Sequence, residues 1–124
     1  MRKVYLVTAL LWAGVIAFFS LIPAAAMEGY PIDSSKSWVY HIVSYFILAL
    51  LLQRTDLLQN RYVILIAILY GFVIEVVQNF IPGRYFDLWD IAANSAGALG
   101  GALLPDSVFK ILSGLPEGLH GQVP

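Results

Sequence analysis

The chain has 124 residues, 60% of them apolar, a mean hydropathy of +0.79 and a net charge of −1. Soluble domains hold only about 45–50% apolar residues, and a chain this short has too much surface to hide the excess, so a soluble globular class is excluded in favour of the membrane class. The near-neutral charge argues against a nucleic-acid partner, which needs a clustered basic face, and the absence of cysteine rules out disulfides and thiolate chemistry. One domain, residues 1–124, is expected.

Arg2 and Lys3 precede an apolar run over 4–22. A secretory signal has a similar plan, but its apolar region is about 7–15 residues; this run approaches the ~20 needed to cross a bilayer, so a first transmembrane helix is expected. A polar connection follows. The second run covers 38–53, with Trp38 and Tyr40 suited to a membrane–water interface. His41, Ser44, Tyr45 and Leu48 share one helical face, since residues three and four apart are neighbours. The spacing expects a third helix over 62–80 and a fourth over 87–104, joined by the turn signal Phe80-Ile81-Pro82-Gly83-Arg84.

In the fourth run Ala93, Gly97 and Gly101 recur every four residues. Small residues at that spacing let membrane helices approach closely, either inside one bundle or in a homo-oligomer through the Gly97/Gly101 face. Pro105 ends or kinks this helix, and Val108, Phe109, Ile111 and Leu112 suggest a short amphipathic turn. A frayed C-terminal tail follows. The expected fold is all-α: a polytopic membrane protein built as a four-transmembrane-helix bundle.

Four spans put both termini on one side. With that side cytoplasmic, Arg2, Lys3, Arg54, Arg61 and Lys110 lie inside, and Lys36 and Arg84 outside, as the positive-inside rule prefers. The expected location is the cytoplasmic (inner) membrane. Polar groups in apolar segments are costly and tend to mark functional sites. Counting helical rise, His41, Glu75, Asp90 and Asn94 fall at one depth in the outer half of the bilayer, with Arg84 and Asp87 at its rim and Ser20 nearby. A polar pocket opening outward is the expectation.

His41, Glu75 and Asp90 are the candidate acid–base groups. Imidazole titrates near neutral pH, and a carboxyl group in apolar surroundings can exchange a proton. The structural alternative is a histidine bonded to a neighbour such as Glu75. Arg84 could clamp an anionic group with its planar fork or pair with Asp87 or Asp90. Asp87, Gln78, Asn94, Tyr45 and Tyr70 are candidate ligand-binding residues, and equally suited to bonding helices together. Asp87, Asp90 and Asn94 could offer oxygen ligands to a cation such as Mg²⁺, but helix N-termini attract carboxylates without one; no metal or cofactor is expected.

The pattern Tyr70-Gly71, Glu75, Gln78, Pro82-Gly83-Arg84, Asp87-x-x-Asp90 and Asn94-x-x-Gly97 resembles the signature of the VanZ-like membrane protein family. His41 with Tyr45, and Ser20 with Pro23, resemble its earlier motifs; the likeness runs from Val4 to Leu104. Family members often carry a lysine three residues before the histidine, where this chain has Trp38, and Lys36 stands five residues before it. The family takes its name from a membrane protein giving low-level resistance to the glycopeptide teicoplanin. The resemblance implies a cell-envelope role whose partners are membrane lipids or an amphiphilic small molecule. Two functions fit: an enzyme or binder for a lipid, a lipid-linked precursor or a glycopeptide-type antibiotic, and a non-catalytic structural or partner-binding membrane factor. A transporter fits less well, because no broken inverted-repeat helices are visible.

Overall fold

A computed structural model of the chain describes residues 1–31 and 34–114. It is all-helical among these residues: α1 (Arg2–Leu21), α2 (Ser37–Gln53), α3 (Asn60–Gln78), α4 (Leu88–Ala102) and α5 (Asp106–Ser113). Short 3-10 turns at Ala24–Met27 and Ser34–Lys36 fill the first connection. The apolar runs thus become the first four helices, with ends shifted by about two residues, as helix ends commonly are. The expected amphipathic turn is the helix α5, which starts directly after Pro105. The tail beyond Gly114, expected to fray, lies outside the described residues.

The fourth helix is shorter than its apolar run. Asp87 stops short of it as the N-cap, accepting the Trp89 backbone N–H at 2.8 Å, and the helix ends at Ala102, ahead of Pro105. Among the described helices, α1 and α3 alone are long and apolar enough to cross a membrane. At 1.5 Å per residue α2 and α4 reach roughly 26 and 23 Å, against a hydrocarbon core of about 30 Å. By length and composition, two of the four helices that pack together are full-length spans.

α2 is the hub: it packs against α1, α3 and α4, and its contact with α4 is the most extensive in the molecule. The reason lies in the small-residue stripe. A Cβ built on Gly97 would stand 2.3 Å from the Ile42 carbonyl oxygen, and one on Gly101 would stand 2.1 Å from that of Phe46. Backbone meets backbone there, so only glycine fits. The Gly97/Gly101 face is thus covered by α2 of the same chain, and an oligomer formed through it would have to displace α2.

The buried core is small-residue and aliphatic: Ala49, Val63, Ala67, Ala98 and Ala102 in one cluster, and Ile16, Tyr45 and Leu48 in another. The outward faces are apolar too. Leu10, Leu11 and Phe18 on α1, and Leu65, Leu69 and Val73 on α3, are all more than half exposed. Only Ala9 and Ile16 of α1 are buried. Meanwhile Glu75, Asn94, Gln78, Arg54 and Thr55 are buried. Apolar outside with polar groups inside is the distribution favoured where hydrocarbon surrounds the protein.

Two polar ties hold the bundle's two ends. At one, the nearly buried Arg54 forms an ion pair with Asp106, donates to the Leu104 carbonyl at 3.3 Å and lies 4.0 Å over the Phe109 ring, which fastens α5. At the other, the last carbonyls of α1 lack helical partners. Gln78 donates to Ser20 O at 2.9 Å, and Arg84 donates to Ile22 O at 3.0 Å and Phe19 O at 3.1 Å. A cation at a helix C-terminus also opposes the negative end of the helix dipole.

Candidate functional site

The end of the bundle that holds the C-termini of α1 and α3 and the N-termini of α2 and α4 gathers the polar side chains. His41 lies one turn into α2, Glu75 one turn before the end of α3, and Asp90 in the first turn of α4. Potential ligand atoms of these three residues all lie within 4.8 Å of one another. Residues separated by up to forty-nine positions in sequence thus meet at one place, because antiparallel helices return the chain to the same level.

His41 is held from both sides of its ring. Nδ1 lies 2.8 Å from Asn94 Oδ1, and Nε2 lies 3.3 Å from Asp90 Oδ2. With the amide oxygen as acceptor, Nδ1 carries a proton. Nε2 then faces the carboxylate, where a second N–H gives an ion pair and a bare lone pair gives a metal ligand. The histidine's partners are Asp90 and Asn94, one turn apart on α4; the expected bond from His41 to Glu75 is not among those of the described residues.

Glu75 is fully buried. Its Oε2 accepts the backbone N–H of Asp87 at 3.2 Å, at the start of α4, where the positive end of the helix dipole favours a carboxylate. Its Oε1 has no hydrogen-bond partner among the described residues. Asn94 Nδ2 and the Tyr45 hydroxyl, on residues each 1% exposed, are also unpartnered there. The Asn94 amide nitrogen and the Tyr45 ring sit beside Gly71: a Cβ there would stand 2.7 Å from Asn94 Nδ2 and 3.0 Å from Tyr45 Cε1. The glycine opens the space that lets Asn94 reach His41.

The other candidates make contacts within the bundle. Tyr70 donates its hydroxyl to the Ala13 carbonyl, and its ring lies 6.3 Å from that of Tyr45. Gln78 and Arg84 cap α1 as described above. Arg84 pairs with neither Asp87 nor Asp90 among the described residues; its guanidinium donates to the end of α1 instead. Asp87 caps α4 with its side chain and supports Glu75 with its backbone N–H. Asn79, next to Gln78 in the chain, lies past the end of α3 and is exposed. Trp12, unremarked in the sequence, donates its indole N–H to the Ser44 carbonyl at 2.9 Å and ties α1 to α2; a lone tryptophan inside an apolar run gives no signal of such a bond.

A family profile described as VanZ/LLP1 matches residues 5–109. The chain belongs to the VanZ/LLP1 family. The match covers α1 to α4 and the first half of α5, and so includes every residue of the site. No curated protein and no solved structure matches the chain. In this VanZ/LLP1 protein the ionisable side chains of His41, Glu75 and Asp90 meet, with Asn94 bonded to the imidazole. The exposed aromatic residues Trp38, Tyr40, Phe80, Tyr85 and Trp89 stand near that end of the bundle by their place in the chain. The open groove along Gly14, Ala17, Phe18, Leu21 and Ile22 on α1 is apolar and contains none of the triplet.

Proposed function

We propose that the protein is a multi-pass integral membrane protein of the cell envelope, with both termini in the cytoplasm and the His41–Glu75–Asp90 site in the outer-leaflet half of the bilayer. The site receives the polar head of an amphiphile: a lipid, a lipid-linked precursor or a glycopeptide-type antibiotic. The carrying observation is the meeting of the three ionisable side chains at one end of a bundle whose outward faces are apolar. The exposed aromatic residues at that end support the interfacial level, because Trp and Tyr favour the headgroup boundary. The lysine and arginine distribution supports its outward orientation. On this reading α2 and α4 cross a locally thinned bilayer, the usual response to short apolar segments. His41 and Asp90 supply acid–base work, with Glu75 at the dipole of α4.

The test is Glu75→Gln and His41→Ala at equal membrane expression in a bacterial host, scored for teicoplanin tolerance and envelope lipid composition. Both variants are expected to lose the wild-type phenotype; wild-type behaviour in both overturns the proposal. A second reading, a non-catalytic membrane factor, draws on one observation: both ring nitrogens of His41 are engaged within the protein. It predicts that Glu75→Gln lowers the unfolding temperature in detergent and that no amphiphile protects the wild type.

A further inference from the structure

The geometry points to a site for one divalent transition cation, of the Zn²⁺ or Mn²⁺ kind, held by His41 Nε2 and by carboxylate oxygens of Glu75 and Asp90. The proposal uses the residues of the functional reading above but needs no amphiphile. The ligand set suggested by sequence spacing, Asp87 with Asp90 and Asn94, is not the one the fold assembles: Asp87 caps α4 and Asn94 serves His41.

Distances come first. Three atoms within 4.8 Å of one another fit inside a circle of radius about 2.8 Å, so one point lies that close to all three; contraction by at most about 0.6–0.8 Å per ligand brings them to the ~2.0–2.2 Å of zinc–nitrogen and zinc–oxygen bonds. The Nε2–Oδ2 separation of 3.3 Å already matches the edge of a tetrahedron built on bonds of about 2.0 Å.

The supporting contacts are those a metal site needs. A ligating histidine donates its other ring N–H to an oxygen acceptor, which fixes its tautomer and aims the lone pair; Asn94 Oδ1 does this at 2.8 Å. Glu75 has one oxygen fixed by the Asp87 N–H and the other without a partner, on a fully buried residue. A buried, half-satisfied carboxylate is costly, and coordination satisfies it.

Charge and donor type select the cation. Two carboxylates and a neutral imidazole cancel one divalent charge, which suits an apolar setting. One nitrogen with oxygen donors favours zinc or manganese over calcium or magnesium, whose sites are all-oxygen. Three protein ligands leave a coordination position for water or a ligand oxygen, as in sites where a metal does chemistry.

The test uses the full chain purified in detergent through a tag that contains no histidine, stripped with EDTA and titrated with ZnCl₂, MnCl₂ or MgCl₂ while thermal unfolding and bound metal are measured. Wild type is expected to bind one zinc or manganese ion per chain and to unfold several degrees higher with it. Asp90→Asn and Glu75→Gln are expected to lose that response, and Asn94→Ala to weaken affinity about 10–100-fold, as loss of an outer-shell partner does. Should the Asp90 and Glu75 variants fail to fold, the Mn²⁺ electron paramagnetic resonance of wild type against Asn94→Ala decides. Equal zinc and manganese responses in wild type and variants, equal resonance spectra, no bound ion, or stabilisation by MgCl₂ alone would each overturn the proposal. A wild type that binds zinc while Glu75→Gln and His41→Ala keep full teicoplanin tolerance overturns the amphiphile reading and leaves the metal site standing. Lost tolerance without any bound metal does the reverse.

Discussion

Replacing Gly97 by alanine adds one methyl group where the backbones of α4 and α2 meet. That carbon would stand 2.3 Å from the Ile42 carbonyl oxygen and 3.0 Å from both Ile42 C and Phe46 N. All three are backbone atoms of α2 and cannot swing aside. Ordinary contact begins near 3.4 Å, so the two helices must separate by about 1 Å, and overpacking of this kind costs about 1–3 kcal/mol. Gly97 lies one turn from Asn94 and two turns from Asp90 on the same stripe of α4. The separation therefore also lengthens the 2.8 Å His41–Asn94 bond beyond hydrogen-bond reach. Thermal unfolding in detergent should show Gly97→Ala lower by roughly 5 °C, and the proposed function should fall with it. Gly14→Ala is the control, since nothing lies within 4 Å of its new carbon. Gly97→Ala unfolding at the temperature of Gly14→Ala would refute the close-packing argument.

Arg84→Ala should release the C-terminal turn of α1, visible as faster hydrogen exchange at residues 19–22, with a loss of about 1.5–3 kcal/mol for each charged hydrogen bond as an upper range; Arg84→Lys should recover only part, having no planar fork. Tyr45→Phe removes a buried hydroxyl with no partner among the described residues, so the unfolding temperature should hold or rise, and a fall of several degrees would show that the hydroxyl is satisfied. Arg54→Ala, which loses both the Asp106 ion pair and the Phe109 ring contact, should detach α5 and expose residues 106–113 to protease before the rest of the chain unfolds.

The helices were readable from the sequence because four apolar runs are bounded by proline, glycine and charged turns. The level of the polar residues was readable too, since helical rise is constant and antiparallel helices must return to the same end. Rotation about each helix axis was not readable. Depth alone cannot tell whether His41 faces Glu75 or Asp90 and Asn94, and the answer depends on how closely α4 approaches α2. Gly97 and Gly101 signalled a close approach, but a small-residue stripe does not say which helix fills it. The contacts of Arg84 and Gln78 with α1 were hidden for a related reason. Their partners are backbone carbonyls at the end of α1, and every helix end carries such groups without any mark in the side-chain pattern. The contacts of Arg54 were likewise hidden, because its partners Asp106 and Phe109 lie over fifty residues away in α5.

The most direct test of the central claim, a polar site beneath the external face of the membrane, is the side on which each end of the bundle is exposed. The chain has no cysteine, so single cysteines report without background. Tyr85→Cys stands at the site end and Leu57→Cys at the opposite end, and both positions are exposed. In intact cells a membrane-impermeant maleimide should label Tyr85→Cys and spare Leu57→Cys until the membrane is permeabilised. Labelling of Leu57→Cys in intact cells with Tyr85→Cys protected would place the His41–Glu75–Asp90 site on the cytoplasmic side and contradict the account.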